Sequence, residues 1–306
     1  MKLVKPYFEI WEQPTGLEGV YKQIEKVGRV CYKSEDKITE DSAKPFVDRM
    51  IKSGHGAMLE HGIVYLAMPM ETILPIKANG WGKYTENPYS KGFRVCEVDG
   101  QKRVAVTTNL RVLVENGWLD DLKYICEPTE FHERRITVHF VCDRGVSHEF
   151  VRHRVMSFAQ ESTRYCNYSK DKFDNELTFI IPNWSQIPEG NYPCHINRDS
   201  AEFVAEGWNF KDRGIDEADK LLIMNFGIVE HDYMTLLKYF NWKPQEARAV
   251  LPNSLKTELV VTGFTSDWEK FFDLRARGTT GAPHPQAKEL AEPLMKEFIA
   301  RKYINN

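Results

Sequence analysis

Long apolar runs are scarce in this chain. No stretch approaches the ~20 apolar residues that a membrane helix needs. The opening segment MKLVKPYFEIWEQP holds no apolar run long enough for a secretory signal. Neither a membrane partner nor export is therefore expected, and a cytoplasmic location is. A Cys-x-x-Cys pair is also missing. Six cysteines, at positions 31, 96, 126, 142, 166 and 194, are scattered through 306 residues. That spread reads as free thiols in a reducing compartment. The sequon Asn167-Tyr168-Ser169 is then no glycosylation site. There is no Gly-x-Gly-x-x-Gly, and so no Rossmann phosphate loop. No internal repeat or low-complexity tract stands out. An excess of one charge is absent too: 41 Lys and Arg face 44 Asp and Glu, a net charge of −3. A dedicated nucleic-acid binder would be basic overall, so no nucleic-acid partner is expected. A local basic pocket for a small anion remains open.

Hydrophobic residues make up 42% of the chain, enough for a real core. Apolar residues three and four apart predict a helix over 17–31. A second helix is predicted from about Glu40-Asp41-Ser42 to Ser53-Gly54, with glycine as its stop. HGIVYLAMPM (61–70) reads as a buried strand closed by proline. Residues 71–100 read as irregular, with Trp81, Tyr84 and Tyr89 in a packed loop. A strand follows over 103–108, then a short helix over 109–117, with Asn109 near its cap and Gly117 at its end. RRITVHFVC (134–142) alternates and is β-branched, as strands are. Asp143 then caps a helix running through RGVSHEFVRHRVM. A loop over 157–176 leads to a strand in ELTFIIP. The remainder reads as mainly helical: 199–226, 229–240, a short helix after Pro244, 266–277 and 285–303. Strands and helices without strict alternation give an α+β fold, with a mixed or antiparallel sheet flanked by helices. The organisation expected is a single domain over 1–306.

Two motifs tempt and fail. HEFVRH (148–153) resembles the zinc-hydrolase His-Glu-x-x-His, but Arg152 stands where the second histidine belongs. His148 and His153 would lie roughly 140° apart on a helix, so no metal site is expected. Pro193-Cys194-His195 resembles the Pro-Cys-His tripeptide around the nucleophile of the cysteine-dependent thymidylate synthases. The arginine-serine phosphate signature of that family is absent, and Cys194 reads as an ordinary loop cysteine.

The stretch RHRVMSFAQESTRY (152–165) is different. Arg152 and Arg154 flank His153, and Arg164 follows among two serines, Thr163, Gln160 and Glu161. A solvated helix end explains one or two charges, not this density. Arginine forks bind phosphate in a fixed plane, and hydroxyls add donors. The composition points to a phosphate-bearing small molecule. On a continuous helix Arg152 and Arg154 would lie about 200° apart. Either the helix ends there or two ligands or subunits meet at that point.

The spacing Arg-His-Arg-x7-Ser in RHRVMSFAQES resembles the signature of the flavin-dependent thymidylate synthases. Further blocks follow in the same order. KSGHGAMLEH (52–61) looks like that family's His-x4-Glu-His segment, and TFIIP (178–182) like its strand-proline. EARAVLPNSLKTEL (246–259) is similar to its Ala-Arg-x-x-Leu-Pro segment, and FFDLRARG (271–278) to its closing Leu-Arg. The resemblance implies an enzyme that makes dTMP from dUMP without a cysteine nucleophile. Methylenetetrahydrofolate gives the carbon, and FAD reduced by NADPH gives the hydride. It also implies a homotetramer with active sites shared between subunits. A non-catalytic nucleotide-binding module is the alternative.

Residue by residue, the resemblance places Arg152, His153 and Arg154 on FAD, with Arg152 also on dUMP. Gln160, Glu161, Ser162, Thr163 and Arg164 match the loop that wraps the nucleotide, with Arg164 its natural phosphate ligand and Gln160 also beside the flavin. Glu149 and Arg248 match further dUMP-binding positions. Arg275 matches the catalytic arginine that polarises the uracil ring. Cys31, His55, Ala57, Glu60 and Lys270 match flavin-side positions. The chain departs from the family where Gln is usual at Glu149, Asn at Ala159, Glu at Gln160 and Gly at Thr163. A small hydroxyl residue is replaced by Cys31 and a threonine by Ala57. The Asn-x-Arg flavin contact is here Phe264-Thr265-Ser266. Residues 71–130 exceed the minimal family core and read as an insertion.

Overall fold

The computed structural model describes residues 1–73, 82–98, 100–197, 202–205 and 214–305, with positions 98, 194–197 and 202–205 described by backbone alone. The chain begins with β1 (Lys2–Val4), β2 (Tyr7–Trp11), α1 (Gly16–Tyr32), α2 (Ala43–Lys52), α3 (Gly56–Leu59), β3 (Ile63–Pro69) and α4 (Met70–Ile73). Next come β4 (Lys91–Val98), β5 (Gln101–Asn109), α5 (Leu110–Glu115), β6 (Arg135–Asp143), α6 (Arg144–Phe150), β7 (Ser157–Gln160) and β8 (Thr178–Ile180). The last third holds β9 (Gly190–Asn191), β10 (Cys194–Asn197), β11 (Glu202–Ala205), α7 (Glu217–Lys238), α8 (Pro244–Ala247), β12 (Lys256–Phe264), α9 (Thr265–Phe272) and α10 (Pro285–Ala300). The fold is α+β, as the sequence predicts.

A four-stranded antiparallel sheet in the order β2-β6-β12-β7 carries the architecture. β6 and β12 pair along their full lengths, from Asp143 opposite Lys256 to Arg135 opposite Phe264. Alternation divides the faces. Ile136, Val138, Phe140 and Cys142 pack with Trp268, Phe271 and Phe272 of α9 and Leu290, Leu294 and Phe298 of α10. The opposite face carries Val260 and Ala159, on which Val27 and Val30 of α1 pack, beside polar groups that pair in part with one another. Thr137 Oγ1 meets Thr262 Oγ1 at 2.8 Å, and His61 Nδ1 meets the same Thr262 oxygen at 2.7 Å. A second antiparallel sheet, β3-β5-β4, packs with α1, α2 and α5. β8, β1 and β9 form a third, beside the core of α7.

Most expected elements are present. Asn109 caps α5 through Val112 N–H at 3.0 Å, and Asp143 caps α6 through Val146 N–H at 2.8 Å. Tyr84 is packed in the core of the second sheet, its hydroxyl donating to Asp121. Trp81 lies outside the described residues, as does the side chain of Cys194. The five cysteines whose side chains are described are free thiols.

Five expectations are corrected. Residues 71–100 are not irregular throughout, because β4 pairs with β5 across a bulge at Gly92 and Arg94. The loop expected over 157–176 begins with β7, which takes the edge of the main sheet. The helix after Asp143 stops at Phe150 rather than near Met156. The C-terminal part is not mainly helical, since β12 is the partner of β6, and the 199–226 region holds part of the β10–β11 hairpin. Finally, α7 runs unbroken through Gly227. Residues 199–201 and 206–213 of the helix expected over 199–226 lie outside the described residues.

Candidate active site

α6 is short because its apolar stripe gives out. Val146 and Phe150 face the core, and Phe150 sits 5.1 Å from the ring of Phe140 and 4.9 Å from that of Phe271. One turn further on stand His153 and Arg154, with no apolar side chain to continue the stripe. The chain therefore turns, with His153 N–H donating to Phe150 O and Met156 N–H to His153 O, before it enters β7. The 200° divergence of Arg152 and Arg154 lapses once the helix ends. Both are exposed, and neither forms an ion pair with another described residue. His153 points inward, its ring 5.0 Å from that of Phe271.

Arg275 reaches the same point from the other end of the chain. It rises from a π-helical turn, Asp273–Arg277, that prolongs α9 and ends at Gly278 with φ 71°. A Cβ at Gly278 would lie 2.8 Å from Gly281 O, so only glycine closes the turn so tightly. Single π turns often aim a side chain that an α-helix would carry past its target. Arg275 Nη1 pairs with Glu149 Oε2 at 2.5 Å, Nη2 donates to Glu149 O at 2.9 Å, and Nε donates to His153 Nε2 at 3.3 Å. Glu149 thus holds one edge of the guanidinium and His153 another. Glu149 and Arg275 also line a cavity of about 410 Å³ with Leu274, Pro283 and His284.

Accepting from Arg275 leaves His153 neutral, with its proton on Nδ1. Burial first, and the Arg275 charge second, push its pKa down from 6.5 to about 4. The sign follows directly. The folded pKa lies below the unfolded one, so the unfolded chain takes the proton first. His153 therefore costs stability as pH falls from about 6.5 towards 4, and nothing above that window. Its ring resonances in an NMR titration should stay put between pH 8 and 5; a midpoint near the ordinary histidine value would refute this arrangement.

The polar loop after β7 is partly spent on structure. Gln160 donates to Ser147 Oγ at 2.9 Å and to Thr257 Oγ1 at 3.2 Å, which ties β7 to α6 and β12. Glu161 is buried and holds Lys256 Nζ at 2.9 Å and the Tyr168 hydroxyl at 2.8 Å. Ser162 N–H donates to Cys31 O at 3.0 Å, and its hydroxyl accepts from Arg164 N–H. Thr163 is buried, and with Arg144, Arg248, Ala249 and Leu251 it lines a second cavity of about 230 Å³. Arg164 is exposed, with Nε 3.3 Å from Gln245 Oε1 and its guanidinium 5.2 Å from the ring of Tyr165.

The flavin-side residues form a looser group. Cys31, near the end of α1, sits with Met58, Ala159, Val27, Val30 and Val260 in a small apolar cluster. Burial there pushes the Cys31 thiol up to about 11, so it is no nucleophile at neutral pH. His55 and Ala57 are exposed at the start of α3, which packs on β7. Glu60 is bound by Arg111 at 2.5 Å. Lys270 is exposed on α9 and pairs with Asp267 at 3.7 Å, with none of the other candidates.

Sequence reasoning missed several participants. Lys256, Ser147 and Thr257 hold the loop, and Arg144 enters the Thr163–Arg248 cavity. Arg144 follows a helix cap in a segment read for its secondary structure, and no spacing rule singles it out.

Comparison with known proteins bears on this arrangement. Residues 99–301 match the family model described as thymidylate synthase complementing protein. The chain is similar to a flavin-dependent thymidylate synthase of Pyrococcus horikoshii, 29% identical over 163 residues, which covers 53% of this chain and 54% of that protein. It is 30% identical over 156 residues to one of Corynebacterium aurimucosum, covering 50% of this chain and 53% of that one. The chain thus spans about half the length of the curated relatives it matches. Among solved structures, a UMP/dUMP methylase of Streptomyces cacaoi bound with 5-Br dUMP aligns over 98% of this chain and 93% of its own, at 16% identity and a TM-score of 0.43. Thymidylate synthase X of Helicobacter pylori with FAD and dUMP aligns over 95% and 92%, at 14% identity and a TM-score of 0.37. Both structural likenesses are too distant to bear on the site.

Proposed function

The chain belongs to the thymidylate synthase complementing protein family, and on that premise we propose that it is a flavin-dependent thymidylate synthase that methylates dUMP to dTMP. The observation that carries this reading is the meeting of Arg275 with Glu149 and His153, residues 122 and more positions away in the chain. A guanidinium fixed on two edges, beside a cavity, is suited to a pyrimidine carbonyl. As C5 of the base becomes nucleophilic, negative charge builds on the ring oxygens, and Arg275 stabilises it without giving up a proton. Neutral His153 keeps the guanidinium oriented. Arg248, with Arg152, Gln160, Ser162, Thr163 and Arg164, would hold the nucleotide. Glu161 would act from behind by fixing the loop.

The residues present fit FAD. Arg152 and Arg154 offer charge that no described acid neutralises, suited to a pyrophosphate. Cys31, Met58 and Ala159 form an apolar wall that a flat ring could cover. His55, Ala57 and Glu60 stand on the neighbouring helix, whereas Lys270 stands apart from them. When bound and reduced by NADPH, FAD would supply the hydride, and methylenetetrahydrofolate the carbon. The chain's own part is to bind, orient and polarise.

An exposed apolar stripe supports self-association as part of the same reading. Leu221, Met224 and Ile228 recur three and four residues apart and exposed on α7, as a subunit contact would require. A homotetramer with shared sites would cover them. No helix among the described residues is long and apolar enough to cross a membrane, and the reading places the protein in the cytoplasm.

The test supplies FAD, dUMP, NADPH and methylenetetrahydrofolate to purified protein. Production of dTMP only when all four are present is the expected result. Binding of dUMP without dTMP under every combination would leave a nucleotide-binding module instead.

A further inference from the structure

Most inward-facing cations of this protein are paired. Lys256 meets Glu161 and Glu258, Arg275 meets Glu149, and Arg29 meets Glu25, while Arg135 has no ion pair among the described residues but donates to Glu60 O and Ser157 Oγ. The cavity of about 230 Å³ breaks that pattern. Arg144 and Arg248 both line it, and neither forms an ion pair with any described residue. Arg144 is half-buried, and its Nη1 is buried with no hydrogen-bond partner among the described residues. Leaving such a donor unmet is costly, and more so for a charged group. Arg248 reaches the same cavity from the exposed side. An anion there would meet both guanidiniums and lift the penalty on Arg144.

The juxtaposition is built. Arg144 N–H donates to Asn253 O at 2.8 Å and to Leu255 O at 3.2 Å. These bonds pin the start of α6 to the turn that follows Arg248. Leu251 N–H in turn donates to Arg248 O at 3.1 Å. From the third side Thr163 enters on the loop that Ser162 anchors to Cys31. Three separate stretches of chain therefore converge on one pocket of two guanidiniums and a hydroxyl.

We propose that Arg144 is a specificity-determining residue that grips the phosphate of a pyrimidine nucleoside monophosphate, together with Arg248 and Thr163. This rests on the function proposed above, which sets Arg248 against dUMP. The consequence is discrimination by charge. A phosphate dianion matches the two guanidiniums, whereas a nucleoside leaves them unmet and gains nothing from the pocket.

The experiment measures the binding of dUMP and of deoxyuridine by calorimetry to the FAD-loaded protein and to Arg144→Gln and Arg144→Lys. Arg144→Gln should weaken dUMP at least about tenfold, the scale of one charge-assisted hydrogen bond, and leave deoxyuridine unchanged. Arg144→Lys should recover part of the loss. In turnover, KM for dUMP should rise while kcat holds. Inorganic phosphate should compete with dUMP on the wild type and lose that ability in Arg144→Gln. Unchanged dUMP affinity in Arg144→Gln overturns the proposal, and so does an equal loss for nucleotide and nucleoside, which marks a structural role. Wild-type protein that binds no dUMP would instead overturn the proposed function itself.

Discussion

Arg275→Ala is expected to lower the turnover of dUMP by about 10²–10³-fold, the scale seen when one preorganised donor to a developing negative charge is removed. The effect should fall on kcat, with KM for dUMP changing far less, because in the proposed mechanism the charge that Arg275 meets arises only as the base reacts. Arg275→Lys should not restore activity. An ammonium cannot donate to Glu149 O, Glu149 Oε2 and His153 Nε2 together, as the planar fork does. Steady-state kinetics with binding measured separately distinguishes the outcomes. Loss of dUMP affinity with kcat intact would recast Arg275 as a mere binding group. The prediction also separates two chemistries. The Cys194 thiol has no part in this mechanism, so Cys194→Ala should leave turnover in place.

The second large effect is on stability. Lys256→Met is expected to destabilise the fold by about 3–5 kcal/mol, the usual cost of removing one partner from a buried charge network. Lys256 Nζ lies 2.9 Å from Glu161 and 2.6 Å from Glu258. Lys33 at 2.9 Å and His139 at 2.9 Å complete the group around Glu258. Burial works against the Lys256 ammonium, but the two carboxylates outweigh it and hold its pKa above the ordinary lysine value. Burial likewise raises the Glu258 pKa, yet the His139 hydrogen bond and the Lys256 and Lys33 charges hold it well below the usual carboxylate range. A depressed carboxylate pKa stabilises the fold above the unfolded value, and that contribution fades as pH drops through the folded one. Denaturant unfolding at neutral pH measures the loss, and adding Glu161→Gln to Lys256→Met should return part of it. A midpoint within experimental error of the wild type would show that the network contributes nothing.

The same network explains why the candidate site was only partly legible in the sequence. RHRVMSFAQES singles out candidate residues through their spacing. Glu161 shares that stretch yet turns inward, because Lys256 and Tyr168 meet it there. No local pattern distinguishes it from Ser162 beside it. Arg144 is the converse case. Its place in a pocket depends on Asn253 and Leu255, more than a hundred residues later. The fold shows a similar division. Caps at Asn109 and Asp143 are local chemistry and were readable. β12 was not, although KTELVVTGF carries β-branched residues, because helical segments on either side set the expectation. Its nine residues become a strand by pairing with β6 along their whole length. In α7, a break is expected between 226 and 229, where Gly227 stands. An internal glycine costs only about 1 kcal/mol, and the packing of Phe226 on Phe179, with ring centroids 4.4 Å apart, offsets that.

In the proposed function, arginines brought together from remote parts of the chain set a pyrimidine monophosphate against a flavin. The most direct measurement is the flavin absorbance of FAD-loaded protein titrated with dUMP. A saturable change in the spectrum with dUMP, and none with deoxyuridine at the same concentrations, is the result predicted. Protein that takes up no FAD, or a flavin spectrum indifferent to dUMP, would contradict it.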